Sequence, residues 1–202
     1  MNHEYITQVD ESKPTISPSH TSPKNSILVP FVIALCAALI AVVSFFLPYI
    51  CASEEYGEYL ENQGDRQAFS SGDMTYRDMK SLSLFEYAKI YFQEGKEIFH
   101  NETTGIFYGV LMSSSGVLSL LILFSVLRKR PILAFILNAV LGGICYMVYW
   151  DFTDRGIMPD NSRVWGISFY MLYACVATIA LSTIWMFIEK RKAKKEVKVM
   201  AA

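Results

Sequence analysis

The densest grouping of charged and aromatic side chains is Trp150-Asp151-Phe152-Thr153-Asp154-Arg155-Gly156. It allows two kinds of chemistry. Open to solvent, Asp151 and Asp154 would bind a cation or a basic group. Closed, one of them would pair with Arg155 or Arg163 and fix the loop that follows. The closed arrangement is the expectation. Two carboxylates without a histidine, a third acid or a cavity are too few for metal catalysis.

Other reactive residue types are scattered. His3, His20 and His100 lie far apart, and Cys36, Cys145 and Cys175 fall inside apolar runs, with Cys51 at the end of one. No CxxC is present, so neither a thiol redox motif nor a zinc knuckle is indicated. A net charge of −1 argues against a nucleic-acid binder. The chain is therefore expected to be no enzyme, with no catalytic residue, metal ligand or cofactor.

The elements that must carry these residues are apolar. The chain is 52% hydrophobic and 14% aromatic. Four long segments, at about 27–51, 105–127, 131–150 and 164–188, contain no Asp, Glu, Lys or Arg. About 20 helical residues cover the roughly 30 Å of a bilayer's hydrocarbon core, so each is long enough to span. The first segment is longer than a signal peptide's apolar stretch and lacks a strong basic cluster before it, so a retained helix is expected. Pro30 lies in its first turn, and Pro48 should kink or end it. The fold expected is an all-α membrane protein: a four-transmembrane-helix bundle over 27–188, with a partly helical extracellular loop at 52–104. Residues 1–26, rich in Ser, Thr and Pro and including Ser17-Pro18 and Ser22-Pro23, read as a disordered cytoplasmic tail. Residues 189–202 read as a basic one.

Charge sets the expected orientation. Arg128-Lys129-Arg130 joins segments two and three, and six lysines and arginines follow Ile188. Residues 52–104 hold 11 acidic and 5 basic side chains, and residues 151–163 hold 3 and 2. The positive-inside rule then puts both termini in the cytoplasm of a multi-pass plasma-membrane protein.

Within the long loop, Ser83 and Glu86 have capping-box spacing at the start of a helix over about 82–99. Leu84, Phe85, Ala88, Tyr91, Phe92, Gly95, Ile98 and Phe99 form its apolar face. That face either roofs the bundle, lies among headgroups, or docks another protein, with Phe85, Tyr91 and Phe92 as contact residues. A shorter helix is expected near 54–61, and 62–73 reads as a mobile connection.

Small and polar residues mark contacts between helices in lipid. Ala34, Ala37, Ala38 and Ala41 mark the first segment, and Gly105, Gly109, Ser113 and Gly116 the second. Ala134, Asn138 and Gly142 mark the third, and Gly166, Ala174, Thr178 and Ser182 the fourth. Asn138 should face the interior at the depth of Ser119, Thr178 and Ser182, bonded to one of them or to a backbone carbonyl.

Three short motifs carry a resemblance: Phe46-Leu47-Pro48-Tyr49, Ser83-Leu84-Phe85-Glu86-Tyr87, and Trp150-Asp151-Phe152 with Asp154-Arg155-Gly156. With the order of spans and loops, they resemble a group of small, uncharacterised four-span membrane proteins of Gram-positive bacteria. The resemblance implies no activity. The layout is also similar to claudin-type four-span proteins, but the loop lacks their Trp and paired Cys, so no function is carried across. The function expected is that of a small integral membrane protein acting by protein–protein contacts, as an accessory or interaction subunit. Its partners would be the lipid bilayer and a membrane protein or a second copy. A component of a transporter or channel is the alternative, and it needs a polar route that Asn138 and a few hydroxyls scarcely supply.

Overall fold

The computed structural model describes residues 27–70, 74–158 and 161–200, with backbone alone at 196–200. The tail at 1–26, with its two Ser-Pro pairs, and the last part of the 62–73 connection lie outside the described residues.

The chain runs α1 (Leu28–Ser44), β1 (Pro48–Ala52), α2 (Glu54–Gln63), a 3-10 turn (Asp78–Lys80), β2 (Ser81–Ser83), α3 (Leu84–Phe99), α4 (Glu102–Leu127), α5 (Pro131–Asp154), β3 (Arg163–Trp165) and α6 (Ile167–Met200). Helix dominates, and α4, α5 and α6 are each long and apolar enough to cross a membrane. In their most apolar stretches only 39%, 28% and 33% of residues are buried within the protein. The remainder presents Leu, Ile, Val and Phe outward, as at Leu120, Phe124, Ile136 and Leu181. A surface that apolar is compatible with helices that cross a membrane, where lipid would cover it.

Size sorts the residues of α1 in the same way. Its buried positions are Pro30, Ala34, Ala37, Ala38, Ala41 and Ser44. Val32, Ile33, Leu39, Ile40 and Val43 point outward. Small inward residues let backbones approach closely where dispersion drives packing. Helix α1 packs on α6 and α4, α4 on α5, and α5 on α6.

Three expectations need correcting. First, the molecule is not all-α. A three-stranded antiparallel sheet, in the order β2-β1-β3, closes one end. Second, α1 stops at Ser44 rather than near residue 51. The amides of Phe45, Phe46 and Leu47 bond three residues back, at 3.3, 3.0 and 3.2 Å. Pro48 then offers no N–H and disfavours helix at Leu47. As the first residue of a central strand, it costs that strand little. Third, the last apolar segment is strand at 163–165 before it is helix, because β1 offers an unpaired edge there. Helix α6 then continues through the basic tail, whose Lys, Arg, Ala and Glu are good helix formers.

Helix ends follow local chemistry. Ser83 and Glu86 form the reciprocal capping box of α3, with bonds of 3.2 Å and 2.7 Å. Helix α4 ends on Lys129 at φ 53°, where Arg130 N–H reaches the Ser125 carbonyl at 3.0 Å. Helix α5 runs four residues past the expected Trp150. It ends on Gly156 at φ 66°, with Ile157 N–H bonded to the Phe152 carbonyl at 2.9 Å.

Candidate interaction site at the sheet end

Strand β1 sets this end of the molecule. Pro48 pairs with Ser83 and Ile50 with Leu82, so Tyr49 is a bulge residue. Its ring turns into the core against Phe152, Trp165 and Phe169, with centroids 6.1, 5.8 and 5.7 Å away. Gly166 N–H bonds to the Tyr49 carbonyl at 2.8 Å. A Cβ on Gly166 would lie 2.3 Å from the Pro48 oxygen, so no other residue lets α6 begin there.

Helix α4 turns back along α3 after the short turn at His100, whose φ is 53°. The two backbones touch at Gly95 and Gly105, where a Cβ on either would lie 2.5 Å from the other's Cα. Phe92 covers Gly109, and Phe45 covers Gly116. The small-residue stripe of α4 thus receives α3 and the end of α1 rather than one long helix.

Arg155 sits where α3, α4 and α5 meet. It forms an ion pair with Asp151, one helical turn back. It also donates to the Tyr91 hydroxyl at 3.1 Å. Its guanidinium carbon lies 4.6 Å from the Tyr108 ring centroid, 5.3 Å from Phe99 and 5.7 Å from Tyr91. Asp151 is 5% exposed, so its carboxylate is closed to solvent and engaged. A second tie runs from Arg163, whose guanidinium lies 3.5 Å from the Tyr87 hydroxyl and 5.6 Å from the Tyr56 ring centroid. Burial pushes the Tyr87 and Tyr91 phenols up; Arg163 opposes this most at Tyr87 and Arg155 at Tyr91.

The other named residues scatter. Asp154 and Trp150 point outward from α5. Phe85 and Phe92 are 47% and 49% exposed, although both belong to the expected inward face of α3. Leu84, Ala88, Tyr91 and Gly95 of that face are buried, and Tyr87, Ile90 and Glu94 are buried beside them. Asn138 is buried and its amide donates to the Val176 carbonyl at 2.9 Å. Ser119 is buried and bonds to the Ser115 carbonyl of its own helix at 2.8 Å. Ser182 is buried, while Thr178 is half-buried and donates to the Ala174 carbonyl at 2.8 Å. The inward stripe of α6 is Ser168, Leu172, Cys175, Ile179 and Ser182, one residue on from the expected Ala174 and Thr178. Sequence reasoning missed Tyr87, Phe99 and Tyr108 as partners of the two arginines. The spacing of Tyr87 and Tyr91, one turn apart, was the available signal.

Among the described residues no group of three or more His, Cys, Asp or Glu is placed to hold a metal. Comparison of the chain with protein-family models, curated proteins and solved structures finds no match.

Proposed function

We propose that this chain is a four-span protein of the plasma membrane, with both termini cytoplasmic, and that it acts by contact with another membrane protein rather than by catalysis. Helix α1 is the fourth span. At 17 residues it covers about 25 Å, and Phe45 to Leu47 with β1 extend it. Its two ends match those of its neighbours: Phe31 lies 5.5 Å from the Lys129 ammonium, and the Ser44 carbonyl accepts from Ser168 at the start of α6. The sheet end, which carries the acidic loop, then faces outside.

The observation that carries the contact reading is the outward face of α3. One side of this helix is fully used in locking Arg155 and α4. The other still shows Phe85 and about half of Phe92, whose ring also packs on Gly109 of α4, and Phe46 stands beside Phe85 with ring centroids 5.4 Å apart. Aromatic anchors on a rigid helix are what a partner's helix docks against. The alternative, a transporter or channel component, draws little support from the core. Ser115, Ser119, Ser125 and Thr183 are buried and bond to carbonyls of their own helices.

A photo-crosslinking residue in place of Phe92, activated in native membranes, tests the proposal. A discrete protein adduct is expected, and an adduct of two copies would make the contact a self-association. Crosslinks to lipid only would sink the contact reading.

A further inference from the structure

A groove of about 630 Å³ opens between the start of α5 and the end of the apolar part of α6. Its mouth carries Lys129, Arg130, Lys190, Arg191 and Lys194, with no acidic side chain among the lining residues. The nearby Glu189 is paired with Lys192 at 3.0 Å, and neither lines the groove. Two features hold the cations in place. The Lys190 ammonium bonds to the Lys129 carbonyl, and the Arg191 guanidinium carbon lies 4.2 Å from the Phe187 ring centroid. At the same spot α5 begins without any side-chain cap, and its first residue is Pro131. The next amides, those of Ile132 and Leu133, have no acceptor within the helix.

Behind this mouth the lining becomes apolar. A second hollow of about 220 Å³ shares Pro131, Ile132 and Phe187 with the first and continues along the α5–α6 seam past Phe135 and Ile184. Ile132, Phe135 and Ile184 are all exposed on the protein's apolar surface. Charge and hydrophobicity thus change across two adjoining hollows that share Pro131, Ile132 and Phe187, in the order that an anionic phospholipid presents them, phosphate first and acyl chain after.

We infer that this groove holds one anionic glycerophospholipid, its phosphate among Arg130, Lys190, Arg191 and Lys194 and an acyl chain along the α5–α6 seam. A phosphate is the charge complement of the mouth, whose guanidinium and ammonium groups make charge-assisted bonds to its oxygens. A free phosphate shares that chemistry but leaves the apolar hollow empty. The inference rests on the protein lying in a bilayer and not on the contact reading of α3.

Native mass spectrometry of the full chain in non-ionic detergent tests it, with phosphatidylglycerol, phosphatidylcholine of the same acyl chains, and inorganic phosphate as probes. A bound phosphatidylglycerol that phosphatidylcholine does not displace is expected. Each cation near a membrane surface contributes about fivefold to anionic-lipid binding, so Arg191→Gln with Lys194→Gln should weaken it roughly 25-fold. Arg128→Gln with Lys195→Gln removes the same charge at this end of the protein from side chains that do not line the groove and should change it less than about threefold. Ile184→Trp leaves every charge in place, fills the apolar hollow, and should also weaken binding. Equal losses from the two charge pairs would reduce the site to a diffuse basic field and overturn the inference. So would equal binding of phosphatidylcholine, displacement by inorganic phosphate at matched concentration, or no effect of Ile184→Trp.

Discussion

Arg155 is the residue on which three helices depend. Its side chain is 24% exposed, and that of Asp151 is 7% exposed. Asp151→Asn would leave the guanidinium among rings with a neutral partner. Breaking a buried pair costs about 3–5 kcal/mol, and the partial exposure of Arg155 lowers this to roughly 2 kcal/mol. Replacing both, as Asp151→Leu with Arg155→Met, removes the stranded charge and should recover much of the loss. Thermal unfolding in detergent reads both variants. If the double replacement were no more stable than Asp151→Asn, the ion pair would matter less than the packing around it. The proximity of Asp151 to Arg155 was legible in the sequence as an i,i+4 pair. The rings of Tyr91, Phe99 and Tyr108 were not, because they arrive from helices α3 and α4, 64, 56 and 47 positions away.

At the scale of elements, α3 and α4 are joined by backbone contact. Gly95→Val or Gly105→Val would drive side-chain atoms into the opposing backbone and separate the helices. Overpacking of this kind costs typically about 1–3 kcal/mol, and backbone cannot yield as a side chain does. Gly143 provides the comparison, since nothing lies within 4 Å of where its Cβ would be. Gly143→Ala should be neutral or stabilising by up to about 1 kcal/mol through helix propensity. Unfolding of the variants checks the ranking; equal effects at Gly95 and Gly143 would contradict the close approach. The capping box of α3 could be read from four consecutive residues, since both bonds are local. The rotation of α3 could not. Leu84, Ala88, Tyr91 and Gly95 turn inward as their spacing predicts, but the tertiary contacts bring Tyr87 and Ile90 in beside them and leave Phe85 and Phe92 at the other edge half exposed.

For the whole molecule, the decisive pattern is an apolar outer surface on the long helices, with the cations of Arg128–Arg130 and the α6 tail gathered at one end and the sheet at the other. The orientation proposed above can be checked with single cysteines in a background where the four native ones are replaced by alanine. Asp65→Cys, at a side chain 79% exposed, should react with a membrane-impermeant maleimide in intact cells. Lys194→Cys should react only after permeabilisation. The reverse labelling would invert the protein, and labelling of both without permeabilisation would remove α1 or another helix from the spans.

The sequence by itself determined which stretches are apolar enough to leave water, where the cations cluster and where α3 starts. Each of these depends on composition or on neighbours within one helical turn. Only the tertiary structure decided that residues 48–52, 81–83 and 163–165 form a sheet, that α1 gives way to strand, and that Arg155 is enclosed by rings. Strands of three to five residues have too little local preference to form alone. Their hydrogen bonds exist only once segments far apart in the chain have been brought together by the packing of the helices between them.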